Sequence, residues 1–147
     1  IGVNTLYPVL TEHTVVKLDG EKAHKRMQRW EAIALEACKQ SRRNTLLTIK
    51  PISSFAEVIK KTRGISSIML YEKEEQVSLK EILRQQDILT NEVFLIIGPE
   101  GGFSPNELEM AKENGVFIAT LGQKILRTET ASIVGSAIVL YELGDLG

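Results

Sequence analysis

The sequence predicts an α/β domain: a parallel sheet with helices on both faces. Strand-like and helix-like segments alternate along the whole chain, the order expected when each strand is followed by a crossover helix. The run Val93-Phe94-Leu95-Ile96-Ile97 is apolar without a break, which fits a strand covered on both faces. With 147 residues and 43% hydrophobic content, the chain can build one real core. Neither repeats, low-complexity tracts nor linkers divide it, so residues 1–147 read as one domain.

Charge and cysteine content narrow the function classes. The net charge of −1 supplies no global basic field, so a nucleic-acid site has to be a local patch. Cys38 is the single cysteine and cannot form an internal disulfide, which fits a reducing, cytoplasmic setting. No apolar run reaches membrane-spanning length, no signal peptide is visible, and no membrane partner is expected. The chain opens on Ile1, inside a strand pattern, and so reads as a fragment of a longer protein.

Taken in order, residues 3–10 are rich in β-branched and apolar side chains and read as a strand, with Pro8 marking an edge. From Lys22 to Ser41, Met27, Trp30, Ala34, Ala37 and Cys38 recur at helical spacing and form one apolar stripe. Residues 45–49 read as a short strand ended by Pro51. Ser54 and Glu57 form a capping box that opens a helix to about residue 62. Residues 67–72 read as a strand, and Ser78 with Glu81 opens a second capped helix to about Gln86. After the strand at 92–98, Ser104 is an N-cap, Pro105 the first helical residue and Glu107 the box partner. That helix stops at Gly115. Residues 116–122 form a further strand, and 131–143 a last apolar helix closed by Gly144.

Ligands of open parallel sheets bind beyond the carboxyl ends of the strands. Two unusual loops lie at such ends, Gly98 to Phe103 and Gly122 to Ala131, separated by one helix and one strand. Side by side they make two walls of one pocket. In the first, Gly98, Gly101 and Gly102 permit close backbone approach, Pro99 fixes the entry, and Glu100 is the lone charge. A plain strand-to-helix turn with a solvated Glu explains the same residues, and neither the dinucleotide nor the phosphate-loop glycine spacing is present. The second loop sets Arg127, Thr128, Glu129 and Thr130 between apolar elements. An Arg127–Glu129 pair with Thr130 capping the last helix is the structural explanation, the cap contributing about 1 kcal/mol.

The stretch "LIIGPEGGFSPNELEMA" followed by "LGQKILRTETASIVG" and a closing "GDLG" resembles the RsmE family of 16S ribosomal RNA uracil-N3 methyltransferases, as does "RWEAIALEACKQSRRN" upstream. The resemblance covers essentially the whole chain, and the two C-terminal motifs together are highly specific. It implies an S-adenosylmethionine-dependent enzyme of the SPOUT class with a C-terminal trefoil knot, acting as a homodimer on 16S rRNA of the small ribosomal subunit. It also implies that a strand and helix, and before them a PUA-like RNA-binding domain, precede Ile1. By position, Ile97, Gly98, Pro99, Glu100, Gly101 and Gly102 hold the cofactor. Leu121, Gly122, Ile125 and Leu126 cradle the adenine and supply backbone hydrogen bonds, Thr130 and Ala131 close the pocket, and Tyr71 is a further lining position. Arg42 and Arg43 fall where RNA phosphate or the dimer partner is met. The family commonly has Gly where Arg42 stands, Pro where Leu47 stands and often Arg where His13 stands.

Methyl transfer from a sulfonium is an in-line displacement, so positioning supplies much of the rate. Uridine N3 loses a proton, and charge spreads onto the flanking carbonyl oxygens. Arg127 is the cation for that charge. Glu129 or Glu100 accepts the proton or orients the arginine, and the sequence leaves that choice open. His13 and His24 lie outside the motif loops and are assigned no catalytic role. No residue cluster has metal-ligand spacing, so no metal is expected. Basic residues crowd the first helix and its end, with a smaller group at Lys60, Lys61 and Arg63; helix-face ion pairs explain most, leaving Arg42 and Arg43 for phosphate. Two other readings stay open: a SPOUT methyltransferase with another RNA target, and a non-catalytic RNA-binding module of the same fold.

Overall fold

The computed structural model describes residues 1–14, 20–85 and 92–144. Its centre is a parallel sheet of three strands in the order β6-β5-β7, with β5 at Ser66–Leu70, β6 at Val93–Ile97 and β7 at Phe117–Ala119. Two small parallel pairs precede it: β1 (Thr5–Leu6) with β3 (Thr48–Ile49), and β2 (Val9–Leu10) with β4 (Ser53–Ser54). The strand expected over 3–10 is therefore broken. Tyr7 and Pro8 lie between β1 and β2, which pair with different partners; proline cannot donate to a ladder, and the break falls there. Likewise the strand expected over 45–49 is only its last two residues, and β4 follows directly after Pro51 and Ile52.

Side-chain alternation sorts the central strands into two faces. Ile68 and Leu70 of β5 join Val93, Leu95 and Ile97 of β6 in one cluster, covered by α3 (Leu79–Leu83) and α5 (Thr128–Glu142). Met69 joins Phe94 and Ile96 in the other, covered by α2 (Phe55–Lys61) and α4 (Pro105–Glu113). Helices thus cover both faces of a parallel sheet. On the first face α5 lies close to the strands: a Cβ added to Gly135 would stand 2.9 Å from Leu70 Cδ1 and 3.3 Å from Leu95 Cδ2. On the second, the Tyr7 ring packs 4.9 Å from Phe94, tying the small strand pairs to the sheet.

All three Ser-x-x-Glu capping boxes form, at Ser54/Glu57, Ser78/Glu81 and Ser104/Glu107. The third reaches further. Glu107 is 4% exposed; one carboxylate oxygen accepts the Ser104 amide at 2.9 Å and the other accepts the Glu12 amide at 3.0 Å. The start of α4 is thereby fastened to the segment after β2. The first helix, α1, runs Gly20–Gln40; of its expected stripe only Ala34 and Cys38 are buried, and Ala37 is exposed. Helix α3 ends at Leu83, and Gln86, its expected limit, lies outside the described residues. So does most of the closing "GDLG".

Candidate functional site

The carboxyl ends of β5, β6 and β7 open into one cleft. Leu70, Tyr71 and Glu72 line it from β5, Ile97, Gly98 and Pro99 from β6, and residues 120–126 with Thr128 and Ala131 from the far side. Its space, open mouth included, is about 600 Å³. The two loops singled out in the sequence are the two walls.

The first loop is a tight turn. The Gly102 amide donates to the Pro99 carbonyl at 2.9 Å, which puts Glu100 and Gly101 at the exposed tip. Behind the tip, Phe103 is buried against Phe55, ring centroids 5.7 Å apart. Gly102 has φ +69°, the left-handed region that favours glycine, and the Glu72 carboxylate lies against it, Oε1 2.6 Å from where a Cβ would stand. His13 caps the turn from outside: its Cβ packs on Gly101, and its Nδ1 lies 3.1 Å from the Gly102 carbonyl.

The second loop leaves β7 at Thr120, whose hydroxyl takes the Gly122 amide at 3.1 Å. Beyond it the amides of residues 123–127 donate no hydrogen bond within the described residues. Ile125 is 82% exposed, and Leu126 is exposed beside it. The loop ends where the Thr128 hydroxyl donates to the Gly98 carbonyl at 3.0 Å, joining the two walls.

Of the expected cofactor residues, Tyr71, Ile97, Gly98, Pro99, Leu121, Gly122, Ile125, Leu126 and Ala131 line this cleft. Glu100, Gly101, Gly102 and Thr130 do not; they lie just outside it, in the turn tip and the first turn of α5. The last helix begins three residues earlier than expected. Arg127 is its N-cap, without a side-chain cap bond, and Thr130 is already inside it, so Thr130 caps nothing. The bond from Thr128 to Gly98 sets the start of the helix instead. Nor do Arg127 and Glu129 form an ion pair; both are exposed and unpaired among the described residues. Glu129 sits in the first turn of α5, where the helix dipole favours a carboxylate.

Sequence reasoning missed Leu70, Glu72, Thr120, Gln123, Lys124 and Thr128 as lining residues. Thr128 and Thr130 are alike in the sequence; only the distant carbonyl distinguishes them. The two arginines at the end of α1 diverge. Arg42 is exposed, whereas the Arg43 guanidinium donates to the Val3 and Gly2 carbonyls at 2.8 and 3.2 Å and to Asn4 Oδ1 at 2.9 Å. In the smaller basic group, Lys61 sits 5.5 Å over the Tyr7 ring and Arg63 donates to Asn114 at 2.9 Å. No helix among the described residues is long and apolar enough to cross a membrane.

This architecture has close relatives. The chain is 30% identical over 146 residues to the ribosomal RNA small subunit methyltransferase E of Bacillus subtilis, covering 97% of this chain and 57% of that protein. It is 33% identical over 134 residues to the protein of the same name from Mesomycoplasma hyopneumoniae, covering 90% and 56%. Among solved structures it resembles the Neisseria gonorrhoeae ribosomal RNA small subunit methyltransferase E bound to S-adenosyl methionine. That match has a TM-score of 0.84 and 36% identity, over 95% of this chain and 56% of the other. The chain thus spans a little over half the length of these relatives. Residues 1–140 match the model of the RNA methyltransferase domain, and the chain belongs to that family.

Proposed function

We propose that the cleft binds S-adenosylmethionine and that the chain is the catalytic part of an enzyme methylating N3 of one uridine in 16S rRNA of the small ribosomal subunit. The observation that carries the reading is the second loop. Among the described residues, five consecutive amides donate to no protein group, and with an exposed Ile125–Leu126 pair they border a concave site. Free backbone groups and bare apolar surface in a cleft are what an adenine ring, apolar on its faces and polar on its edge, satisfies. The relative solved with S-adenosyl methionine supports the same assignment.

In this reading Leu121, Gly122, Ile125 and Leu126 hold the base, and Gly98 and Pro99 with Ala131 enclose the rest, Gly101, Gly102 and Thr130 acting from behind. The bound donor supplies an electrophilic methyl group. The chain's own work is to orient the uridine, exclude water and manage charge. Arg127, free at the cap of α5, stabilises the negative charge that develops on the uracil oxygens as the N3 proton leaves. Glu129 or Glu100 takes that proton; both are exposed beside the cleft. Arg42 serves RNA phosphate, and Arg43, whose guanidinium holds residues 2–4, contributes by fixing that edge. The return of the chain from β7 to pack α5 on β6 supports a SPOUT-type knotted fold, and exposed Ile133, Ile138 and Tyr141 on α5 support a homodimer. An N-terminal RNA-binding domain, cytoplasmic location and ribosomal context complete the proposal.

The test uses the full-length protein, methyl-labelled cofactor and unmodified small subunits, with the product mapped by mass spectrometry. One methyl group at a single uridine N3 is expected. The Arg127→Ala variant should lose about 100-fold in turnover, the scale of one oxyanion-type donor. Methyl on another atom or another RNA would replace the substrate assignment, and unchanged turnover would remove Arg127 from the chemistry.

A further inference from the structure

Glu72 stands just past the carboxyl end of β5, the central strand, on the wall of the cleft. Its carboxylate lies against the first loop, with Oε1 2.6 Å from where a Cβ on Gly102 would stand. Yet within the described residues it makes no hydrogen bond and no ion pair. By contrast Glu74, two residues on, accepts the Gln76 and Val77 amides at 2.8 and 3.1 Å, and Glu81 and Glu107 close capping boxes. Among the residues lining the cleft, Glu72 carries the carboxylate and Lys124 the ammonium. An unpartnered charge on a concave wall discriminates among ligands by the charge they present.

Resting on the cofactor assignment above, we infer that Glu72 is a specificity-determining residue that binds a positive charge of the donor and so selects it over neutral nucleoside thioethers. The donor offers that charge at two places, the sulfonium sulfur and the ammonium of its amino-acid end. Both are cations that a carboxylate prefers to an uncharged group.

Calorimetry on the full chain tests this with three ligands: S-adenosylmethionine, S-adenosylhomocysteine and 5′-methylthioadenosine, which lacks both charges. For Glu72→Gln, S-adenosylmethionine should bind about tenfold more weakly, the scale of one charged hydrogen bond. Methylthioadenosine should bind as it does to wild type, which also reports an intact cleft. If S-adenosylhomocysteine weakens equally, the ammonium is the partner; if it is unaffected, the sulfonium is. Glu72→Gln binding S-adenosylmethionine as tightly as wild type overturns the inference. So does a parallel loss of methylthioadenosine, which would make Glu72 a prop for the Gly102 turn. A wild-type chain that binds none of the three overturns the cofactor assignment itself.

Discussion

Arg42 has φ +55°, the only positive φ outside glycine among the described residues. It sits at the end of α1 in a Schellman arrangement: its amide donates to the Lys39 carbonyl at 3.2 Å, and the Arg43 amide donates to the Cys38 carbonyl at 3.0 Å. That position favours glycine, because a side chain there crowds its own carbonyl. The glycine that the family resemblance leads one to expect at this position would follow from backbone geometry alone, independently of RNA. Arg42→Gly should stabilise the chain by about 1 kcal/mol, raising Tm by about 3 °C. Thermal denaturation checks it, and a lower Tm would mean that the arginine side chain contributes more than its strained backbone costs. The sequence pairs Arg42 and Arg43 as equals. Their difference arises from a contact some forty residues away in the chain, between Arg43 and the carbonyls of Gly2 and Val3, which local pattern cannot contain.

Helix starts were the most legible elements, because a capping box is closed within four residues. All three serine–glutamate boxes read from the sequence form as expected. The start of α5 was not legible, since the bond that sets it spans thirty residues, from Thr128 to Gly98. The boxes also carry a pH dependence. The Ser54 hydroxyl and then its amide hold the Glu57 carboxyl below its ordinary value of 4.5, and the Ser78 amide and then its hydroxyl do the same for Glu81. A carboxyl depressed in the folded state favours folding fully above its unfolded pKa. That contribution is lost as pH falls through the depressed value. The starts of α2 and α3 should therefore fray as pH falls below about 4.5, seen as faster amide exchange at Ser54 and Ser78 relative to the sheet. Glu57→Gln and Glu81→Gln should remove the pH dependence at their own helices only. Exchange at Ser54 and Ser78 that accelerates no more than exchange in the sheet would refute it.

At the scale of the whole molecule, the parallel sheet with two covered faces was legible from the uninterrupted run at 93–97 and the alternation of elements. The strand order was not: β7 pairs with β5 on the side away from β6, and only that crossover brings the two loops to one cleft. The crossover also decides which face of α5 is left bare. Gly135 and Val139 turn toward the sheet and Leu140 packs beside Gly2, while Val134, Ile138 and Tyr141 recur at four- and three-residue spacing on an exposed stripe. Tyr141 is 65% exposed and Ile133 61%, and the exposed Ile125 and Leu126 belong to the loop that leads into the same helix. In the proposed homodimer, an apolar stripe of this kind is the surface a second copy would cover. A contact extended along α5 to its first turn would also hold the second loop in place for the proposed cofactor. The double variant Ile138→Glu/Tyr141→Glu puts two like charges into an isologous contact twice over, once from each copy. It should convert a dimer to a monomer by light scattering while leaving the helical circular dichroism unchanged. If the loop depends on that contact, S-adenosylmethionine affinity should fall by about tenfold or more in the monomer, a loss of about 1.4 kcal/mol. A monomeric wild type would refute the dimer. A monomeric variant with undiminished affinity would keep the dimer and show that each cleft is complete within one chain.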